Sequence, residues 1–259
     1  MARACFILLL LLTVIAPGNS LAADKTKEPV EMHWSFNGIW GSFDKQSIQR
    51  GYQVYKEICA SCHSLKRIAY RNLADLAFAE EEIKAIAAGN SVKDGPNEDG
   101  EMFERHGRPS DKFVSPFAND KAARAANNGA LPPDLSLIVK AREGGADYIY
   151  SILTGYDIVP TDVKMAEGMN YNLYFPGRQI AMANPLSDGA VTYIDGTEAS
   201  VQQMAHDVVS FLQWAAEPEM EKRKRMGIKV MLFLLIFTGL FIAAKRRVWS
   251  RLDEEDKQQ

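Results

Sequence analysis

The nineteen residues from Met226 to Ala244 constrain this chain most, because only Lys229 among them is charged. A helix of that length is about 28 Å long, close to the roughly 30 Å hydrocarbon thickness of a bilayer. Lys229 lies in the first turn, where its long stem can carry the ammonium group back to the lipid headgroups. The sequence therefore predicts one transmembrane helix, with residues 222–244 forming the linker end and the anchor.

The start of the chain indicates export. Arg3 precedes an apolar run of about a dozen residues, and small residues follow up to Ala22, which is typical of a secretory signal peptide. Basic residues flank the anchor on both sides, so the export signal must set its orientation. We therefore expect a signal peptide over residues 1–22, residues 23–221 on the periplasmic side of an inner membrane, and a cytoplasmic tail over residues 245–259.

The charge of the chain is unevenly distributed. Residues 23–221 hold 29 acidic and 19 basic side chains, whereas residues 222–259 hold 10 basic and 4 acidic ones. An acidic body offers no basic surface to nucleic acid, so no nucleic-acid partner is expected. Two acidic runs stand out, one at residues 80–82 and one in the loop at residues 94–104. Such runs either attract a basic partner or only keep the domain soluble.

Cys59, Cys62 and His63 form a C-x-x-C-H motif, the attachment sequence of c-type haem. Two thiols three residues apart can reach the vinyl edge of one porphyrin, and the adjoining imidazole can ligate its iron. A zinc ribbon would need a second cysteine pair, and a thioredoxin-type pair would need a βαβ pattern. The motif occurs once, so the sequence predicts one covalently bound haem c.

Helical periodicity on both sides of the motif indicates an all-α fold. Asp44 is a suitable N-cap for a helix that runs toward Cys59, and a second amphipathic helix is predicted from about Ser200 to Ala215. These two helices are similar to the crossed pair of class I cytochromes c, and Gly51 would permit close approach there. A small hairpin is predicted over Val191 to Gly196. Residues 157–189 are expected to form a long loop around the haem.

The second axial ligand of the iron decides between an electron carrier and an open site. Met165, Met169 and Met182 all lie between the haem motif and the last amphipathic helix. Met182 is favoured because nearby prolines restrict the backbone and alanines on both sides leave room for the thioether. The residues alone leave the other two methionines open.

Longer motifs make the sequence similar to the cytochrome c1 family, the haem subunit of the cytochrome bc1 complex, and to its bacterial members in particular. The resemblance extends over most of the mature chain, in order. The segments that carry it are Trp34-Ser35-Phe36, Arg50 to Lys56, Tyr70 to Leu73, Ala122 to Ser136, Asp147 to Tyr156, Tyr174 to Met182 and Asp207-Val208-Val209.

The resemblance implies specific roles. Cys59 and Cys62 would hold the haem, His63 and Met182 would ligate its iron, Arg124 would pair with a propionate and Pro133 would line the pocket. The chain would carry electrons from a Rieske iron–sulfur protein to a soluble or anchored cytochrome c, beside cytochrome b. It would not be an enzyme alone, but a subunit of a quinol–cytochrome c oxidoreductase. Two alternatives remain open, an anchored cytochrome for another oxidase or reductase and a sensor or enzyme with an open haem site.

Overall fold

The computed structural model describes residues 26–256, with side chains described as far as residue 250, and the fold is largely helical. The predicted helical class with one long apolar C-terminal helix is confirmed. The signal peptide predicted over residues 1–22 lies outside the described residues. The helices are α1 (Lys45–Glu57), α2 (Glu80–Ala88), α3 (Asp120–Ala126), α4 (Gly145–Thr154), α5 (Val201–Ala216) and α6 (Met220–Asp256), with short 3-10 helices at Cys59–Ser61, Tyr70–Leu76, Leu135–Leu137 and Pro176–Arg178.

Helices α1 and α5 cross at the centre of the core. The predicted N-cap of α1 is confirmed, since the Asp44 carboxylate accepts hydrogen bonds from two backbone amides of the first turn. A Cβ atom on Gly51 would lie 2.0 Å from the carbonyl oxygen of Asp207, so only glycine fits at the crossing. Phe211 and Trp214 of α5 are almost fully buried beside it. The predicted crossing of the two helices is therefore present.

A charged network joins the same two helices. Asp207 of α5 is fully buried, and it accepts hydrogen bonds from Arg50 Nε at 2.8 Å and from Ser47 Oγ at 2.7 Å, both on α1. Gln203 donates to the same carboxylate at 3.0 Å. A buried carboxylate is tolerated only when it is paired and hydrogen-bonded in this way. The network therefore fixes how α1 and α5 are aligned.

Two small antiparallel ladders complete the fold. Strand β1 (Ser91–Asp94) pairs with β2 (Phe103–His106), and β3 (Asn170–Tyr171) pairs with β4 (Gln179–Ile180). The hairpin predicted over Val191 to Gly196 is wrong, because that segment forms turns without strand pairing. Its side chains instead turn toward α1: the Tyr193 ring is buried under the Arg50 guanidinium, and Asp195 forms an ion pair with Arg50.

Helix α6 leaves the domain as a single long rod. Met220, its first residue, is buried in the core, but the side chains from Met226 to Ser250 are almost all exposed. The part from Met220 to Ser250 is long and apolar enough to cross a membrane. It extends beyond the apolar stretch at both ends, so the flanking basic residues are helical as well. Exposed leucine, isoleucine and phenylalanine side chains on this scale are stable in lipid rather than in water.

Candidate haem site

The two cysteines lie in a tight turn just after α1. The predicted helix toward Cys59 ends at Glu57, and a 3-10 turn at Cys59–Ser61 follows it. The Cys59 carbonyl accepts from the backbone amides of Cys62 at 3.2 Å and of His63 at 2.8 Å. Both thiols are free and half-buried. The turn therefore brings both sulfurs and the imidazole of the motif into one place, without a continuous helix.

The His63 imidazole is oriented by a backbone carbonyl. Its Nδ1 atom lies 2.8 Å from the carbonyl oxygen of Pro133. A carbonyl oxygen can only accept, so Nδ1 carries the proton and Nε2 keeps its lone pair. Metal-ligating histidines commonly have such a partner for the second ring nitrogen. Burial lowers the pKa of His63, which favours the neutral ring that a metal requires.

A clasp of three polar side chains, Ser64, Asp134 and Ser136, holds the histidine segment to the proline segment. Ser64 Oγ donates to Asp134 Oδ2 at 2.7 Å, and the Lys66 amide donates to the same oxygen at 2.9 Å. Ser136 Oγ accepts from the Arg67 amide at 3.1 Å. Burial would raise the pKa of Asp134, but hydrogen bonds from Ser136, Lys66 and Ser64 outweigh it and hold the pKa below its usual value.

The clasp predicts that Asp134→Asn disturbs the site. One carboxylate oxygen becomes an amide group that cannot accept from Ser64 and Lys66, which should lower the free energy of unfolding by about 1–2 kcal/mol. Because Pro133 is the preceding residue, the haem reduction potential of the loaded chain should shift as well. Denaturant unfolding and a redox titration measure the two effects. Asp162→Asn, an exposed loop residue, is the control, and equal behaviour of both variants would contradict the clasp.

Met182 lies where two parts of the core meet. Its side chain is half-buried and packs against both hydrophobic clusters, the large one around α1 and α5 and a small one of Ile152, Tyr174 and Ile180. Its carbonyl oxygen accepts from the Tyr156 hydroxyl at 3.0 Å. Met165 and Met169 are also half-buried but belong to neither cluster. The packing thus distinguishes Met182 from the two alternatives.

The loop that carries Met182 is anchored by a residue that the sequence did not reveal. Asn172 is fully buried, and its side chain donates to the Ile152 carbonyl at 2.8 Å and accepts from the Tyr174 amide at 3.1 Å. The Leu173 amide donates to the Gly155 carbonyl at 2.9 Å. These bonds attach the loop after β3 to the end of α4. Hydrogen bonds between distant segments therefore hold part of residues 157–189 in place.

Arg124 and Pro133 have different surroundings. Arg124 is exposed near the end of α3, and its guanidinium donates to the Gly129 carbonyl at 3.0 Å. That bond closes the turn after α3, and within residues 26–250 the other nitrogen atoms of the guanidinium form no hydrogen bond or ion pair with the protein. Pro133 has an exposed ring, and its contact with the site is through its carbonyl oxygen.

The electrostatics of the site suit an apolar, planar cofactor. Burial raises the pKa of the Cys59 thiol to about 12, as expected for sulfur in apolar surroundings. Nearby, burial raises the pKa of Tyr55, whose hydroxyl donates to the His63 carbonyl at 3.3 Å. Two thiols for the vinyl groups, and an imidazole nitrogen and a thioether for the iron, are the groups that a c-type haem requires. The residues present therefore fit that group.

Comparison with known proteins decides the family. The profile of the cytochrome c1 family matches residues 34–252, from the buried Trp34 to the last turns of α6. The chain belongs to the cytochrome c1 family. Members of this family are the haem subunit of the cytochrome bc1 complex, so haem is the cofactor that the family implies.

Individual relatives agree with this assignment. The cytochrome c1 of Rhodospirillum rubrum is 47% identical over 247 residues, which cover 88% of this chain and 91% of that protein. A mitochondrial cytochrome c1 heme protein of Arabidopsis thaliana is 53% identical over 231 residues, which cover 89% of this chain and 75% of the relative. The cytochrome b/c1 protein of Bradyrhizobium diazoefficiens is 49% identical over 251 residues, and the chain spans only 36% of its length.

Proposed function

We propose that this chain is the haem-bearing subunit of a cytochrome bc1 complex and carries electrons from a Rieske iron–sulfur protein to a soluble or anchored cytochrome c. The proposal places it in a respiratory or photosynthetic chain. It rests on one observation above all, the C-x-x-C-H turn with His63 Nδ1 committed to Pro133, within a family match of residues 34–252. Cytochrome b and the Rieske protein would be its partners in the membrane.

In this proposal the haem is covalently held and has two protein ligands. Cys59 and Cys62 would form the two thioether bonds, and His63 and Met182 would fill the axial positions. When bound, the haem iron supplies one-electron chemistry by changing between its ferrous and ferric states. With His63 and Met182 both ligating the iron, no position would be open to small ligands such as oxygen, so the site would suit an electron carrier rather than a sensor.

The chain's own residues would keep this ligand set unchanged between the two redox states. Hydrogen bonds from the Ser64 to Lys66 segment to Asp134 hold the carbonyl that orients His63. At the other proposed ligand, the Tyr156 hydroxyl donates to the Met182 carbonyl at 3.0 Å and holds its backbone. A carrier that need not rearrange its ligands exchanges electrons with little reorganisation. Arg124, exposed and close to the start of the proline segment, would complete its fork on a haem propionate.

The proposed orientation follows from the two ends of the chain. The signal peptide would deliver residues 23–221 to the periplasm, and α6 would hold them at the inner membrane. The haem domain would then face the same compartment as a soluble cytochrome c.

The acceptor would meet the hairpin loop between β1 and β2. Glu98, Asp99 and Glu101 are exposed there and form no ion pair within residues 26–250. The other acidic run has local structural roles: Glu80 pairs with Lys84 across one turn of α2, and Glu82 accepts from the Ala79 amide at 2.7 Å. Free negative charge attracts a basic carrier, whereas charge used in capping is already partly compensated.

This difference predicts distinct kinetics for two charge variants. The triple change E98Q, D99N and E101Q should slow association with a basic cytochrome c by roughly 10-fold at low salt and flatten its salt dependence. Stopped-flow reduction of the carrier by the isolated complex measures this. The matched variant E80Q, E81Q and E82Q should change the rate much less. Equal slowing in both variants would mean that net charge, not the hairpin, attracts the carrier.

Co-purification tests the assembly. The tagged chain, extracted from native membranes in mild detergent, should bring with it a c-type absorption signal on ascorbate and b-type signals on dithionite. The preparation should reduce cytochrome c when quinol is added. A lone c-type signal from active membranes would instead assign the chain to another oxidase or reductase. A haem spectrum that changes on adding carbon monoxide would indicate an open axial position.

A further inference from the structure

The turn before α1 exposes two large apolar side chains that neither the haem site nor the core uses. Ile39 is 69% exposed and Trp40 is 82% exposed, whereas Trp34, Phe36 and Phe43 on either side are buried. We call residues 37–41 the Trp40 loop. Single exposed apolar residues are ordinary on protein surfaces, but an adjacent isoleucine and tryptophan at the tip of an ordered turn require an explanation.

The Trp40 loop is held in a defined shape. The Asn37 amide donates to the Trp34 carbonyl at 3.0 Å, and the Ser42 amide donates to the Ser35 carbonyl at 3.0 Å, closing the base of the loop. Gly38 has φ of +73°, a conformation that favours glycine. A Cβ atom on Gly41 would lie 2.1 Å from the Asn37 carbonyl oxygen. The backbone of the loop therefore holds the Ile39 and Trp40 side chains in an exposed position.

The loop is tied to the start of the membrane helix. Lys224 Nζ on α6 donates to the Phe36 carbonyl at 2.6 Å and to the Gly41 carbonyl at 3.1 Å, which are the two ends of the loop. Glu221 Oε1 accepts from the Phe43 amide at 2.9 Å. Lys224 precedes Met226, where the apolar stretch begins, by two residues, or about 3 Å along the helix. The loop therefore lies at the level where α6 enters the bilayer.

From this placement we propose that the Trp40 loop dips into the headgroup region of the membrane beside α6. Tryptophan favours this interface, because its ring is apolar and its indole N–H can still meet water or lipid headgroups. Arg225 at the same level is exposed and lies 3.5 Å from Glu221, so its guanidinium can also contact anionic headgroups. The Trp40 loop would therefore contact the headgroup region of the same bilayer that α6 spans. The proposal rests on the membrane anchor and is independent of the electron-transfer role.

A second membrane contact would fix how the haem domain stands on the bilayer. A single helix lets a domain tilt and rotate about its exit point. The Trp40 loop is joined through Phe43 and Asp44 to α1, and α1 leads directly to the haem motif. Anchoring the loop would therefore limit the orientations that the haem site can take relative to the membrane.

Tryptophan fluorescence of the full haem-loaded chain in nanodiscs of neutral and anionic phospholipid tests this. Trp34 and Trp214 are buried, and Trp249 on the far flank of α6 is removed by Trp249→Phe. The difference between that chain and the one with Trp40→Phe as well isolates the Trp40 emission. Lipids brominated near the headgroups should roughly halve it, because interfacial segments lie about 5–10 Å deep. Dividing the Trp40 emission in brominated lipid by that in unbrominated lipid removes the contribution of quenching by the haem.

A displaced probe is the matched control. Ile158 is 87% exposed and comes four residues after the end of α4. The first turn of α4 and Lys224 line the same cavity of about 330 Å³, so Ile158 follows the end of α4 that is farther from Lys224. With Trp40→Phe and Trp249→Phe present, the emission added by Ile158→Trp should not respond to bromine. Trp40 emission that ignores bromine equally would overturn the proposal. Trp40 open to iodide in nanodiscs but shielded in the intact complex would also overturn it, in favour of a protein contact.

Discussion

Replacing Met182 with leucine should lower the haem reduction potential by on the order of 0.1–0.3 V, within the roughly 0.8 V range that axial ligands set. Leucine has nearly the same volume but no sulfur, and Met182 packs against both hydrophobic clusters, so the fold should persist. Loss of a thioether favours the ferric state, and electrons from a high-potential donor would no longer be accepted. A redox titration of the full chain in detergent measures the shift.

Two methionines of the same loop provide the controls. Met165→Leu and Met169→Leu remove a sulfur from half-buried positions outside both clusters. Both should leave the potential and the optical spectrum unchanged. A large shift in either control, with Met182→Leu behaving as the parent, would move the axial ligand to that residue. The experiment therefore also decides between the ligands that sequence reasoning left open.

Replacing Asp207 with asparagine should cost about 3–5 kcal/mol in the free energy of unfolding, as expected when one partner of a buried ion pair is removed. The Asp207 side chain is fully buried, and Arg50 is only 15% exposed, so the remaining cation has little access to water. The guanidinium denaturation midpoint of the haem-loaded chain, followed by its haem absorption band, measures the loss. Asp195→Asn removes the other partner of Arg50, an exposed one, and should cost far less.

The same carboxylate gives a pH signature. Burial would raise the pKa of Asp207, but the nearby His206 ring, 3.7 Å away, and hydrogen bonds from Arg50, Gln203 and Ser47 outweigh it and lower the pKa to about 2. A pKa that is lower in the folded than in the unfolded state adds stability above about pH 4, which is lost as the pH falls toward 2. The parent chain should therefore lose stability over this range more steeply than the D207N variant. Parallel curves for the two chains would exclude Asp207 as the source.

Motif and periodicity predicted the parts of the molecule that depend on local order. Asp44 as a cap, Gly51 at a helix crossing and the long C-terminal helix all follow from short-range rules of capping, steric fit and hydrophobic length. The start of α4 shows the limit of such rules, because this helix begins after Gly144, with φ of +79°, and has no capping side chain. The Asp147 carboxylate in its first turn accepts from the Trp34 indole at 2.6 Å, a contact between distant segments.

The remaining features depend on contacts between distant segments. Nothing in the local sequence says that the Pro133 carbonyl meets His63, or that Asp134 holds Ser64, seventy residues away. The burial of Asn172 is equally non-local, because an asparagine in a loop is usually exposed. The hairpin predicted over Val191 to Gly196 failed for a related reason. A strand is stable only when a second strand pairs with it, and here the Tyr193 side chain packs against α1 instead.

One measurement tests the central claim most directly, the reduction of this chain's haem by quinol followed by its oxidation. In the isolated complex, a quinol pulse should produce a c-type absorption change at the rate of turnover, and oxidised cytochrome c added afterwards should reverse it. An inhibitor of quinol oxidation should abolish the first step but not the second. A haem that quinol leaves oxidised in an active complex, or that oxidised cytochrome c cannot re-oxidise, would contradict the account.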